Sequence, residues 1–332
     1  MAHMTIAPAP QIDKRLLAAL GGVLVLAVIS LTIGVYDLSF PSLIARDDDF
    51  ESAMVFVVSR VPRTIAIILV GMSMSIAGMI MQMLARNRFV SPTTAGTAES
   101  ASLGILVITL LAPGASLGLK MLVATVFALA GTTLFLMILR QIPLRSPLMV
   151  PLVGIMLGGV VGSVTTFFAY RYDLLQSLAA WTGGDFSRVL RGRYELLWIS
   201  GGLALLAFVA ADRFTVAGMG EAFAANLGLN YRRVLVFGLV IVSMVTAVNV
   251  VTVGSIPFLG LIVPNVVSLV MGDNVRRAVP WVAVTGAAFL LACDIFGRVI
   301  RYPFEIPIGT VVGVIGSFLF LFLLLRRSSR VG

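Results

Sequence analysis

Ten stretches of this chain, each near the length of a bilayer crossing, carry almost no charge. They cover residues 15–36, 62–84, 94–112, 118–139, 148–170, 194–211, 232–252, 256–271, 278–298 and 306–325. A hydrocarbon layer about 30 Å thick takes roughly 20 apolar residues as a helix. Inside that layer only helices or closed barrels satisfy every backbone group. Barrel strands alternate polar and apolar residues, and these runs do not alternate, so they read as helices. Composition supports this. Charged residues make up 12% of the chain, about half the share of an average soluble protein. The expected fold is an all-α polytopic membrane protein of about ten transmembrane helices. Residues 1–14 form an N-terminal tail, 15–327 a single membrane domain and 328–332 a C-terminal tail.

Two adjoining runs, 232–252 and 256–271, are too long together for one crossing. Gly254, Pro257, Gly260 and Pro264 interrupt them, which predicts a sharp turn followed by a broken or tilted helix. Lys and Arg set the orientation. With the N-terminus in the cytoplasm, the cytoplasmic side holds 14 of the 24 basic residues, and ten spans leave both termini there. The other side concentrates Arg60 with Arg63, then Arg188, Arg191 and Arg193, then Arg298 with Arg301. Solvated loops account for such arginines, and so does an acidic partner on that face.

The net charge of +9 does not indicate nucleic acid, because the arginines punctuate apolar runs rather than cluster on a polar domain. One cysteine, Cys293, allows no disulfide framework. The one histidine, His3, sits in Met1-Ala2-His3-Met4, which has the form of a vector remnant, so no His-based site is expected. The first apolar run is too long for a cleavable signal.

Ionisable residues in mid-membrane are costly and mark function in ion-coupled carriers. Here Asp294 and Glu99 are the main ones. Asp294 has a structural explanation, pairing with Arg298 at i+4. So little ion-coupling machinery implies that uphill transport draws its energy elsewhere. Gly154, Gly158 and Gly162 share a helix face, as do Gly309 with Gly313, a spacing that lets helix backbones approach closely. Met72, Met74, Met79, Met81 and Met83 crowd the second run. Without accompanying His or Cys they read as adaptable packing rather than a metal relay. No metal site is expected. No Gly-rich phosphate loop is present, so the chain is not expected to hydrolyse ATP. Between Asp212 and Arg233, Glu221 to Asn226 reads as a short helix ended by Gly228. Its apolar face looks small, which favours docking a cytoplasmic protein over membrane attachment.

Five motifs occur in series: Arg60-Val61-Pro62-Arg63-Thr64, Gly78-Met79-Ile80-Met81-Gln82, Asn87 to Gly96, Gly260-Leu261-Ile262-Val263-Pro264-Asn265, and Glu305-Ile306-Pro307-Ile308-Gly309. In this order and spacing the chain resembles the iron-siderophore and cobalamin permease family of ABC importers, from about Arg60 to Arg327. The segment Phe89 to Gly96 is most similar to the branch handling catecholate-type siderophores. Asn265 departs from the His common in the family, and Arg88 from its Pro.

The resemblance implies a permease subunit in the bacterial cytoplasmic (inner) membrane. It would work with a second permease, the same or homologous, and with two cytoplasmic ATPases that carry ATP–Mg. A periplasmic or lipoprotein binding protein would deliver a ferric siderophore as cargo. It implies binding-protein docking at Arg60, Arg63, Arg298 and Arg301 through directional Arg–carboxylate pairs. It implies ATPase coupling through Gly220, Glu221, Ala222, Asn226, Leu227 and Gly228. A gate and pathway would involve Asn87, Phe89, Ser146, Pro147, Thr165, Thr166 and Met81. Rival readings are an ion-coupled carrier, which needs mid-membrane carboxylates, and a membrane enzyme, which needs a clustered nucleophile or metal. Cobalamin or haem is the nearest alternative cargo.

Overall fold

The computed structural model describes residues 14–33, 54, 56–142, 148–272 and 275–328. Among them every regular element is helical. The helices are α1 (Lys14–Thr32), α2 (Val61–Leu84), α3 (Thr97–Leu111), α4 (Leu117–Gln141), α5 (Met149–Arg171), α6 (Leu175–Thr182), α7 (Leu197–Val209), α8 (Ala211–Gly218), α9 (Glu221–Asn226), α10 (Tyr231–Val253), α11 (Leu259–Met271), α12 (Val275–Val299) and α13 (Ile308–Ser328). A five-residue π-helical turn, Phe56–Arg60, leads into α2.

Each of the ten apolar runs contains a helix, but the lengths differ from expectation. Among the described residues six helices are long and apolar enough to cross a membrane: α1, α2 with its π-helical lead, α4, α5, α10 and α12. A seventh results if the segment ending in α7 counts as one span with α8, although the two are bent by 65°. The run expected as a single span over 194–211 thus stops at Val209 and turns. Beyond the bend α8 buries Ala211, Phe214 and Ala217 and exposes Asp212 and Arg213, so it lies along the end of the bundle rather than continuing through it. Helices α3 and α11 have 15 and 13 residues, short of a full crossing.

Helix α2 is the axis of the bundle. It packs against α7, α8, α10, α11 and α12, and 83% of its apolar window is buried, against 11% for α1. Its residues explain why it can take that place. Pro62 in the first turn costs no backbone bond. Small residues then let neighbours approach to backbone distance. A Cβ on Gly78 would stand 1.9 Å from the Gly260 carbonyl oxygen of α11, and one on Gly71 2.6 Å from that of Gly286 on α12. Side chains of any size at these crossings would force the helices apart.

Two of the three glycines expected to share a packing face on α5 do so. Gly154 meets the Thr94 carbonyl and Gly158 meets Gly96 and Glu99, whereas Gly162 faces open space. Helix α4 is capped by Ser116, whose hydroxyl accepts from the Leu119 N–H at 3.3 Å. Asn230 caps α10 in the same way, accepting from the Arg233 N–H at 3.0 Å. The break between α10 and α11 is a tight turn with positive φ at Gly254 and Phe258, after which α11 runs with Pro264 inside it. Deep in the bundle, Ser200 donates to Asn249 Oδ1 (3.2 Å) and Asn249 Nδ2 to Ser73 Oγ (3.4 Å), tying α7, α10 and α2 through a polar chain.

Candidate functional site

Two groups of residues lie at opposite ends of α2, whose 24 residues span about 36 Å at 1.5 Å per residue.

At the amino end of α2 sits a charged cluster. Helix α1 ends there, and the carbonyls at a helix end have no partner within the helix. Two arginines supply the donors. Arg60 Nη1 donates to the carbonyls of Leu31 (3.0 Å) and Thr32 (3.3 Å). Arg298 Nη1 donates to those of Ser30 (2.9 Å) and Ile33 (2.8 Å). Cations at a helix C-terminus also meet its negative dipole end. Arg298 Nη2 donates further to Ser30 Oγ at 2.6 Å and to Asp294 Oδ2, the i,i+4 pair that the sequence spacing predicts. Asp294 Oδ1 accepts from Arg63 Nη2 at 2.8 Å, and Glu305 Oε2 accepts from Arg63 Nη1 at 2.7 Å.

Arg63, Arg298, Asp294 and Glu305 thus balance in charge. The Asp294 side chain is 1% exposed, Arg298 5%, Arg63 14% and Glu305 30%, so the cluster opens outward along that order. Of the four arginines expected to dock a partner, Arg60 and Arg298 therefore point inward and clamp α1. Docking through either would require those bonds to be given up. Arg63 stands at the rim and Arg301 is exposed.

At the carboxyl end of α2 lies α9, with the bounds the sequence predicts. Gly220 enters it at φ 116° and Gly228 leaves at φ 74°, both in the region that favours glycine. Gly228 N–H bonds the Ala225 carbonyl and Leu229 N–H that of Ala224, the paired bonds of a glycine-terminated helix end. Glu221, Ala222, Asn226, Leu227 and Gly228 are exposed and Gly220 is buried. The apolar face is larger than expected: Phe223 is 47% exposed and Leu227, one turn on, 58%, while Met219, ahead of the break at Gly220, is 58% exposed.

Beside it runs the loop from Ala85 to Gly96. Asn87 Oδ1 accepts from the Phe89 N–H at 2.8 Å, so these two gate candidates form one turn. The Phe89 ring meets Phe320 of α13 edge to face at 6.0 Å, and Phe320 lies 6.4 Å from Phe258. Asn265, the departure from the family pattern, donates to the Arg88 carbonyl at 2.8 Å and to that of Leu261 at 2.7 Å. It pins the loop to α11.

The remaining pathway candidates separate. Met81 is fully buried in the core, because it lies on the packed side of α2, and cannot line a passage in this arrangement. Thr165 is buried too and bonds the Val161 carbonyl. Thr166, about 100° further round the helix, is exposed and lines an open hollow with Ser163, Phe167 and Tyr170. Ser146 and Pro147 lie outside the described residues.

Sequence reasoning missed Glu305 as the partner of Arg63 and Phe258 with Phe320 as neighbours of Phe89. Glu305 stood in a quoted motif, but nothing in one dimension joins positions 242 residues apart.

Comparison with known proteins fits this geometry. The chain is 54% identical over 306 residues to the "Petrobactin import system permease protein YclN" of Bacillus subtilis (strain 168), covering 92% of this chain and 96% of that protein. It is 42% identical to the "Petrobactin import system permease protein FatD" of Bacillus anthracis, over 95% of this chain and 92% of that one. A solved transporter described as of the metal-chelate ABC type, in an inward-facing conformation, shares the fold. Its TM-score is 0.76 at 24% identity, covering 94% of this chain and 98% of that one. The profile of the FecCD transport family matches residues 22–326, nearly the whole chain, and the protein therefore belongs to that family.

Proposed function

We propose that the chain is the membrane permease of an ATP-driven importer that carries a ferric siderophore, of the catecholate type, into the cytoplasm. The observation that carries this is the 54% identity, across 92% of the chain, to a petrobactin import permease. In this reading the protein crosses the bacterial cytoplasmic membrane ten times with both termini inside. It builds its pathway with a second permease, the same or homologous. Two cytoplasmic ATPases, which hold ATP–Mg, dock on α9 with its exposed Phe223 and Leu227. A binding protein docks at the opposite end of α2, meeting Arg63 and Arg301 first, while Arg60 and Arg298 hold the frame. The chain performs no chemistry on its cargo. It alternates access, and the gate involves the Asn87–Phe89 turn.

Uptake of a labelled ferric catecholate siderophore into vesicles tests this, with the permease co-expressed with its ATPase and binding protein. Accumulation that needs ATP, and falls to background with Arg63→Glu/Arg301→Glu while the complex still assembles, supports both the importer and the docking site. Accumulation without the ATPase would falsify the ATP-driven reading. Unchanged uptake in the double variant would remove only the docking assignment.

A further inference from the structure

Two non-helical stretches enter the helical bundle and meet on one side chain. The first is the loop between α2 and α3, where Val90, Ser91 and Ala95 are fully buried. The second is the break between α10 and α11, where Ile256 is 1% exposed. Non-helical backbone at membrane depth is tolerated only where protein buries it or where it lines a cavity. Each stretch brings a phenylalanine to Phe320 of α13: Phe89 from the loop, edge to face at 6.0 Å, and Phe258 from the break, at 6.4 Å. All three residues are half-buried. A phenylalanine at φ 61° is uncommon, and such a backbone persists only where its surroundings over-determine it. Gly316, one turn before Phe320, supplies that surrounding. A Cβ on Gly316 would stand 2.8 Å from the Phe258 Cβ and 3.0 Å from Ile262 Cδ1. The missing side chain lets α13 close on Phe258, and that sets Phe320 against Phe89. Helix α11 therefore holds the loop twice, from positions two turns apart: directly through Asn265 at the Arg88 carbonyl, and from Phe258 through the rings.

We propose that Phe320 is a positioning residue for transport, its ring being the seat that fixes the Asn87–Phe89 turn against α13. The bond from the Phe89 N–H to Asn87 Oδ1 makes that turn one unit, so a Phe89 that leaves the seat carries Asn87 with it. An edge-to-face ring pair suits this work. It is weak enough to break and re-form in each cycle, and its preferred geometry defines where the turn returns. An aliphatic side chain at position 320 would fill the volume without that geometry. The contact itself rests on the positions of the rings. Its consequence for transport rests on the importer reading, with the turn as the gate.

The test is fluorine-19 NMR on the full-length permease labelled with 4-fluorophenylalanine, followed by uptake measured per ATP hydrolysed in the complex with its ATPase and binding protein. The chain has 20 phenylalanines, and the Phe89 resonance is assigned by its loss in Phe89→Leu. Phe320→Leu is expected to shift and narrow that resonance, and Phe320→Tyr, which restores a ring, to keep it in place. Gly316→Ala pushes α13 off Phe258 with every ring still present and should shift it as Phe320→Leu does, which keeps the test decisive if the leucine variant aggregates. Phe237→Leu breaks a different aromatic pair, the stack on Phe214 at 6.1 Å, and should leave the resonance unmoved. Uptake per ATP is expected to fall about two- to tenfold in Phe320→Leu, the worth of one aromatic pair, and to recover in Phe320→Tyr. A Phe89 resonance unmoved by Phe320→Leu or by Gly316→Ala, or moved equally by Phe320→Tyr, overturns the seat. A shifted resonance with unchanged uptake per ATP overturns the positioning role. The resonance needs no transport, so a wild type that fails to import would sink the importer reading while the seat is still judged on its own.

Discussion

Arg63 and Asp294, 231 residues apart in sequence, meet at 2.8 Å and lock the start of α2 to the end of α12. The same carboxylate takes Arg298, and Arg298 clamps the end of α1. Three helices are thus joined through one buried acid. Removing one partner of a buried ion pair costs about 3–5 kcal/mol, because the other charge stays desolvated. Asp294→Asn should therefore lower the melting temperature in detergent sharply and reduce folded yield. A variant that melts with the wild type would show that the arginines find other acceptors.

Glu305 behaves differently because it is partly solvated. Its pair with Arg63 is expected to contribute no more than about 1 kcal/mol, so Glu305→Gln should leave the melting temperature almost unchanged. What it changes is charge: Arg63 keeps an amide-oxygen acceptor but loses its rim counter-charge, and so exchanges more readily for a partner carboxylate. Surface plasmon resonance should show tighter capture of the binding protein by Glu305→Gln, most strongly at low salt. Weaker capture would mean that Glu305 itself contacts the partner.

Gly78 and Gly162 are both glycines in long helices, and they should respond oppositely. Gly78→Ala places a methyl against the Gly260 carbonyl and has to separate α2 from α11. That overpacking costs about 1–3 kcal/mol or more. Gly162→Ala meets nothing within 4 Å and should be neutral or slightly stabilising through helix propensity. Thermal melts of the two variants side by side check this.

The exposed row on α9 should matter for assembly and not for folding. Phe223→Asp puts a charge where docking would bury an aromatic anchor, a change that costs about 2 kcal/mol or more at an interface hot spot. Co-purification of the ATPase should drop at least tenfold while the permease alone elutes as before. Normal co-purification would move the coupling surface elsewhere.

Much of this architecture was legible in one dimension, because bilayer thickness and helix period leave few choices. The ten runs each hold a helix. The turn at Gly254, the bounds of α9 and the Asp294–Arg298 pair all follow from local rules of capping, breaking and i,i+4 spacing. The roles of the arginines were not legible. Arg60 read as external charge and Arg298 as the partner of Asp294, both as docking residues, yet both also cap α1, and only the folded chain brings α1 to them. The tightest helix crossing was missed for a related reason. Gly78 shares α2 with Gly71, seven residues back, and Gly260 is alone in α11, so no four-residue spacing announces them, and their effect depends on meeting across 182 positions, counted as 260 less 78. The bend after Val209 escaped because an apolar run does not record where its axis turns.

The crossing at Gly78 also has a mechanical reading. With backbone resting on backbone there is no side chain to compress or to slide over, so α2 and α11 cannot shift along each other without collision, yet they can swivel about the point of contact. If α9 is the coupling helix, a push at that end is expected to pivot α2 about this crossing and turn its α1 end in the opposite sense. Spin-label distances between α2 and α11, taken on either side of Gly78 with and without nucleotide on the ATPase, should change in opposite directions. Changes of the same sign would make the contact a sliding seam instead.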